Sequence, residues 1–126
     1  MSIGGNTQAI IQVKCSQGKN AIGAGVSEWM KVLELTGWLD LSTGDSKYTN
    51  FNAKVQESTH IFLCDYKPLV GVVKVDEQET TITVTSENAR MIVNNLVYEI
   101  LLIDNPMEMN EHYEIYLKFV GGQNVN

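Results

Sequence analysis

The sequence predicts an all-β protein, a small barrel of about seven short strands with one long polar loop and little helix. Apolar and polar residues alternate with a period of two along most of the chain, as in strands that bury one face. Short clusters of turn-forming residues separate these runs, which is typical of barrels and sandwiches. With 126 residues, 44% of them hydrophobic, the chain is predicted to form one domain, residues 1–126, around its own core.

The first two strands are predicted on either side of a glycine-containing turn. Residues 8–15 alternate apolar and polar side chains, and residues 16–20 form a turn that two further glycines extend. The alternation returns over residues 29–41, where Gly37 is expected to mark a bulge or a sharp bend. A short helix over residues 27–35 is the alternative structure for the start of this stretch.

The middle of the chain predicts a central strand followed by a hairpin. Residues 59–66 form a nearly continuous apolar run, as expected for a central strand, and Pro68 ends it. Residues 72–75 and 80–85 have strand character, and the second stretch is rich in β-branched side chains. Residues 76–79, between them, are expected to form a charged hairpin tip.

The last third of the chain predicts a second hairpin and a final strand. Residues 90–93 and 96–103 flank two asparagines at 94–95, which tolerate the left-handed backbone of a type I′ turn. Residues 113–120 alternate again and are predicted to be the last strand. The polar, glycine-containing tail at 121–126 is expected to be frayed.

One segment breaks the strand pattern and is the candidate functional site. It is polar throughout, with a few apolar side chains spaced among small residues. A loop of about fifteen residues is unusual in a compact domain, and such loops are commonly functional or disordered. The segment covers residues 43–57 and consists of Thr43, Gly44, Asp45, Ser46, Lys47, Tyr48, Thr49, Asn50, Phe51, Asn52, Ala53, Lys54, Val55, Gln56 and Glu57.

The charge balance argues against a protein that searches for and binds nucleic acid. Nine Lys and Arg residues stand against fifteen Asp and Glu residues, a formal net charge of -6. A nucleic-acid binder needs a basic patch to displace counterions from phosphates. Tyr48 and Phe51 lie near Lys47 and Lys54, a weak sign of a nucleic-acid-binding OB-like barrel, and this is one alternative.

The sequence predicts neither secretion nor membrane insertion. The first residues carry neither the charged nor the apolar region of a signal peptide, and no apolar run approaches the roughly 20 residues that span a bilayer. We therefore expect a protein that folds in the cytoplasm and has no membrane partner.

Neither the histidines nor the cysteines form a recognisable catalytic or metal-binding motif. Cys15 and Cys64 each lie in an apolar alternation and are predicted to be free core thiols, with a single disulfide as the alternative. His60 is expected to be a hydrogen-bonded strand residue, and His112 to have a structural or interface role. We expect no metal, no cofactor and no enzymatic activity.

Three stretches carry a further signal in their order and spacing. They are the polar segment leading into Thr59-His60-Ile61-Phe62-Leu63-Cys64-Asp65-Tyr66, the hairpin around Asn94-Asn95, and Asp104-Asn105-Pro106 followed by His112-Tyr113-Glu114-Ile115-Tyr116-Leu117-Lys118. Together they resemble the head-closure or head–tail joining proteins of phages of Gram-positive hosts, a family of minor capsid proteins, over roughly residues 38–122. Asn95 stands where the family usually has a hairpin glycine, and residues 70–88 look longer than in many relatives.

The resemblance implies a small β-barrel that acts as the stopper of the virion head. In that family twelve copies form a ring beneath the adaptor protein of the portal, retain the packaged DNA and provide a platform for the tail proteins. The resemblance places this chain at the head–tail interface of the virion, and in the host cytoplasm during assembly. The segment 43–57 would project toward a channel through which DNA passes without sequence-specific binding.

Two other functions compete with head closure. A tail-completion or tail-terminator protein also forms rings, but usually contains more helix than this sequence predicts. A small-ligand-binding β-barrel, or an enzyme built on one, would need a pocket with convergent polar or ionisable groups.

Overall fold

The computed structural model describes residues 3–19, 25–42 and 53–122, with only the backbone for residues 16–19, 25–27 and 54. Strands dominate. The helical elements of this described part are one short α-helix and one 3₁₀ turn at Pro106–Glu108. The elements in chain order are β1 (Thr7–Lys19), β2 (Gly25–Leu41), α1 (Ala53–Glu57), β3 (His60–Asp65), β4 (Val70–Val75), β5 (Gln78–Thr83), β6 (Ala89–Val93), β7 (Leu96–Asp104) and β8 (His112–Gly122).

Six strands close into an antiparallel barrel in the order β1-β2-β3-β8-β7-β6, and β4 and β5 form a separate two-stranded sheet. The predicted all-β barrel with little helix is therefore confirmed. The described part of the chain contains eight strands rather than about seven, and β1 and β2 are not short, with 13 and 17 residues.

The long strands correct three predictions for the first third of the chain. The predicted turn at 16–20 is wrong for residues 16–19, which continue β1, and the alternative helix at 27–35 is wrong because those residues belong to β2. The bulge lies at Val32, which is the extra residue where the register shifts. Gly37 stays in register and pairs with Thr7 on one side and Cys64 on the other.

Both tight hairpins have two-residue turns. Asn94 and Asn95 have φ values of 51° and 65°, as the predicted type I′ turn requires. Asp76 and Glu77 have φ values of 50° and 65° and form the same kind of turn. The predicted β4–β5 hairpin is confirmed, with a tip two residues shorter because β5 already begins at Gln78.

The barrel interior is filled by the inward-facing side chains of its strands. Phe62, Met91 and Leu117 are fully buried there, and the β4–β5 hairpin adds Val73 to the same cluster. The strand predicted at 113–120 lies within β8, where Ile115 and Leu117 are buried and the end of the strand is exposed. The frayed tail predicted at 121–126 is wrong for residues 121 and 122, which belong to β8. Residues 123–126 lie outside the described part.

A second group of buried side chains lies outside this core. Val55, Ile92, Val97, Leu101 and Tyr116 are each at most 9% exposed but do not belong to the main cluster. Helix α1 contacts β7 and β8. The apolar residues of these two strands run on without the alternation expected of a strand that has one face exposed to solvent. Part of the outer barrel wall is therefore covered by the chain itself.

Candidate functional site

The segment 43–57 leaves and rejoins the barrel at one point. It connects β2 to β3, and Leu41 at the end of β2 pairs with His60 at the start of β3. Both ends of the segment therefore lie at the same end of the barrel. Residues 43–52 lie outside the described residues, and Ala53–Glu57 form helix α1.

Two serines tie the ends of the segment together, and we call them the serine clasp. Ser42 is 6% exposed and Ser58 is fully buried. The Ser58 hydroxyl donates to the carbonyl oxygen of Val55 at 2.6 Å. Its single proton is thus used, so the 2.5 Å contact between the two hydroxyl oxygens has Ser42 as the donor. A serine suits this place because its small hydroxyl both donates and accepts.

Helix α1 corrects the prediction that the whole segment is loop. Val55 is 2% exposed, while its neighbours Gln56 and Glu57 are exposed. Five residues are far too few for a stable isolated helix. Docking of Val55 against the barrel wall and the hydrogen bond from Ser58 supply the stabilisation that the local sequence lacks. The spacing of apolar residues within the segment was the only sequence signal for this helix. A single helical turn is too short for that spacing to repeat and be recognised.

Thr59 connects the serine clasp to the barrel. Its carbonyl oxygen accepts from the Ser42 amide at 2.9 Å, and its own amide donates to the Leu117 carbonyl at 2.8 Å. Its hydroxyl oxygen accepts from the Phe119 amide at 2.8 Å and lies 2.9 Å from Nδ1 of His60. The segment is therefore fixed at its base to both β2 and β8.

His60 is a hydrogen-bonded strand residue, as the sequence predicted, and it also belongs to an aromatic cluster. Its ring lies edge-on to Tyr98 with 5.1 Å between centroids, and Phe119 packs at 6.4 Å. These rings lie at the same end of the barrel as the serine clasp. His112 lies elsewhere, at the start of β8, with Nε2 3.2 Å from a carboxylate oxygen of Glu114.

Replacement of Ser58 by alanine tests the serine clasp. We expect a loss of about 1–3 kcal/mol in the free energy of unfolding, because the Ser42 hydroxyl loses its buried acceptor and the Val55 carbonyl keeps only the backbone amide of residue 58 as a donor. Amide hydrogen exchange of residues 53–57 is expected to accelerate more than exchange in β3. Urea denaturation and exchange mass spectrometry measure the two effects.

Ser42→Ala is the matched control for that substitution. It removes one hydroxyl of the pair but leaves the hydrogen bond from Ser58 to Val55 intact, so exchange in α1 should rise less than with Ser58→Ala. Equal exchange in both variants and the unaltered protein would show that the clasp does not hold the segment.

The single arginine of the sequence, Arg90, is engaged within the protein. Its Nε donates to the side-chain oxygen of Gln12 at 2.8 Å, and its guanidinium carbon lies 4.3 Å from the ring centroid of Trp29. Partial burial lowers the pKa of Arg90. A surface cleft of about 330 Å³ adjoins this pair. The guanidinium is held in place by its neighbours, which disfavours its use on DNA phosphates.

A larger cleft of about 520 Å³ lies between the β4–β5 hairpin and β7. Its walls are mainly apolar and hydroxyl-bearing, and the Tyr113 hydroxyl there already donates to the Lys67 carbonyl at 3.0 Å. Both clefts are open surface features. The smaller cleft has three ionisable side chains on its wall, Glu87, Arg90 and Glu99.

The two cysteines are buried free thiols. Cys64 is 1% exposed, and burial raises its pKa to about 11, which disfavours the nucleophilic thiolate. Within residues 3–19, 25–42 and 53–122, no three His, Cys, Asp or Glu side chains are grouped so that they would hold a metal ion.

Three buried groups predict a loss of stability at high pH. Burial is the main cause that raises the pKa of Cys64 to about 11 and the pKa values of Tyr113 and Tyr116 to about 12. Their ordinary values are 9.0 and 10.0. Since each folded-state pKa lies above the unfolded value, this stabilisation is complete below about pH 9 and is lost as the pH rises toward about 12.

Urea denaturation at about pH 7, 9 and 11 measures this loss. We expect the free energy of unfolding to fall mainly between the last two. Tyr116→Phe removes one titrating hydroxyl and should make the decline shallower. A stability that stays constant from pH 9 to 11 would contradict the prediction.

No protein-family model matches the chain, and a search of curated proteins finds no relative. The family resemblance therefore rests on the residues quoted for it above. Neither of the described helical elements is long and apolar enough to cross a membrane.

Proposed function

We propose that this protein is a structural subunit of the phage head–tail connector, a ring-forming head-closure protein that retains packaged DNA and provides the attachment platform for the tail. The observation that carries the proposal is the clasped segment 43–57. A segment that leaves and rejoins a closed barrel at one clasp is suited to reach into a channel while its base stays fixed.

The contrast between frame and segment supports a gating role. The six strands pair all the way around the barrel, and its interior is filled. In this proposal the segment moves while the barrel keeps its structure. The hydrogen bonds of the serine clasp and of Thr59 hold both ends of the segment on the barrel, so a conformational change is confined to residues between Ser42 and Ser58. Helix α1 adds a further anchor on the outer wall, which leaves the part before Ala53 as the proposed gate.

Charge supports passage of DNA without binding. The net charge of -6 is multiplied in a ring, and like charge keeps a polyanion from adhering to the channel wall. Many copies also allow each contact with the adaptor protein and the tail proteins to be weak, since the contacts act together. In this proposal the protein has no catalytic role, needs no cofactor and works in the virion.

Deletion of the gene from the phage or prophage that carries it tests the function, with electron microscopy of the lysate as the readout. We expect heads that packaged DNA and then lost it, beside free, complete tails. Normal heads with missing or over-long tails would instead favour a tail-completion function. Ordinary infectious particles would refute a virion role and reopen the small-ligand alternative.

Complementation of the deletion with an altered segment tests the gate separately. Replacement of residues 43–52 by a short Gly-Ser linker leaves α1 and the serine clasp in place. We expect such particles to attach the protein but to leak DNA. The matched control is Asn95→Gly, which keeps the type I′ turn between β6 and β7. Full DNA retention with the shortened segment would refute the gating role.

A further inference from the structure

Strand β5 has one edge without a strand partner in the described part of the protein. It pairs only with β4. The Val84 amide donates to the Leu69 carbonyl at 2.8 Å, which continues that pairing by one residue. Because bonded and non-bonded positions alternate in an antiparallel pair, the backbone groups of Glu79, Thr81 and Thr83 point to the outer edge. The Thr83 carbonyl there already accepts from the side-chain amide of Asn88 at 2.9 Å, which leaves Glu79 and Thr81 for a further strand.

Apart from the charge of Glu79, this edge lacks the features that usually protect an edge strand. Its residues, Gln78–Thr83, include no proline and no lysine, and five of the six side chains are exposed. Three threonines and an isoleucine give it high strand propensity. On the adjoining strand Val70 and Val72 are 44% and 56% exposed. Such an edge is a template for pairing with another strand.

A second free edge has the opposite charge. The pairing of β1 with β6 ends at Val13, and the Lys14 amide makes the last bond on that side, to the Asn88 carbonyl. From there to Lys19, β2 is the only strand that pairs with β1 among the residues the structure describes. This stretch has a lysine at each end and no acidic residue. In contrast, exposed Glu77 and Glu79 lie at the start of the β5 edge.

We propose that β5 of one copy pairs with the free part of β1, Lys14 to Lys19, of a second copy. Complementary charge selects this partner, and main-chain hydrogen bonds supply the affinity. The contact joins two different edges and is therefore head-to-tail, the type that closes into a ring when its rotation allows. The inference rests on the ring assembly proposed above and names the surfaces that meet.

Carbodiimide cross-linking of purified protein tests the contact directly. Equal amounts of unlabelled and ¹⁵N-labelled protein are mixed at high concentration, and the products are identified by mass spectrometry. We expect mixed-isotope cross-links that join Glu77 or Glu79 to Lys14 or Lys19. Their absence, or intermolecular cross-links confined to other surfaces, would overturn the proposal.

A matched pair of substitutions separates edge pairing from incidental contact. Thr81→Pro removes an amide that points to the outer edge and does not bond to β4. Thr81→Val keeps that amide and the β-branched shape. We expect the intermolecular cross-link yield to fall by about tenfold in the proline variant and to persist in the valine variant, because proline removes a donor and adds a steric block. Equal yields in the two variants would overturn the proposal.

A charge exchange provides a test that does not depend on proline. Sedimentation analysis should show weaker association for Glu79→Lys, and association should return when Lys14→Glu is added. Failure of the second change to restore association would overturn the selection by charge. All these measurements use purified protein without heads, so a negative result here leaves the deletion test of head closure intact. If the cross-links form but deletion of the gene still gives normal infectious particles, the contact stands and the virion role is refuted.

Discussion

Gly37→Ala is expected to lower the free energy of unfolding by about 3 kcal/mol or more. Overpacking a core typically costs about 1–3 kcal/mol, so this is a large effect of its kind. An ideal Cβ on Gly37 would lie 2.1 Å from the Leu63 carbonyl oxygen and 2.9 Å from both the Cβ of Cys64 and a ring carbon of Phe62. The nearest atom is backbone, so β2 and β3 would have to separate. Urea denaturation measures the change.

Gly122→Ala is the control for this substitution. Gly122 is also a strand glycine, at the end of β8, and an added Cβ there meets nothing within 4 Å. We expect its effect to stay within about 0.5 kcal/mol, as for ordinary surface substitutions. Equal stabilities for the two variants would contradict the close approach of β2 and β3.

Phe62→Ala is expected to lower the free energy of unfolding by about 3–5 kcal/mol, the range for deletion of a buried aromatic ring. Phe62 is fully buried in the barrel, at the centre of β3, where neighbouring strands on both sides limit collapse around the space it leaves. The midpoint of denaturation should shift while its slope stays constant, since both variants expose nearly the same surface on unfolding.

The same change at Phe119 is the matched control. Phe119 is 44% exposed and packs against Tyr98 at 5.6 Å between ring centroids. About 1 kcal/mol is the expected loss there, because the ring leaves a half-exposed cluster rather than a closed interior. If Phe119→Ala were as damaging as Phe62→Ala, the assignment of the core to the barrel interior would be wrong.

The successful parts of the sequence analysis share a local physical cause. The Asn94-Asn95 turn followed from the left-handed backbone that asparagine tolerates, and the central position of β3 followed from its continuous apolar run. The β4–β5 hairpin followed from two strand-forming stretches around a polar tip. In each case the signal lies within a few neighbouring residues.

The errors concern features that distant residues decide. Gly37 was expected to interrupt β2, but it is needed where β3 comes too close for a side chain. The bulge lies instead at Val32, where a Cβ on Gly71 of β4 would be 2.3 Å from the Val32 carbonyl oxygen. No local pattern around either position indicates which distant strand will pass it.

The candidate site likewise has one feature that the sequence predicts and others that only distant contacts decide. The long connection between β2 and β3 was predictable, because a polar interruption between strands is visible in sequence. The serine clasp was not, since Ser42 and Ser58 are ordinary polar residues until β2 and β3 pair and bring them together. The docking of Val55 was also hidden, because one helical turn has no measurable period.

By itself, then, the sequence determined the fold class, the two-residue turn at Asn94-Asn95 and the place of the polar segment, since alternation and turn chemistry are properties of neighbouring residues. Only the tertiary structure decided which six strands close the barrel, why Gly37 must be a glycine, and that the segment is clasped at its base. Those properties depend on contacts between residues far apart in the chain, and such contacts exist only once the barrel has closed.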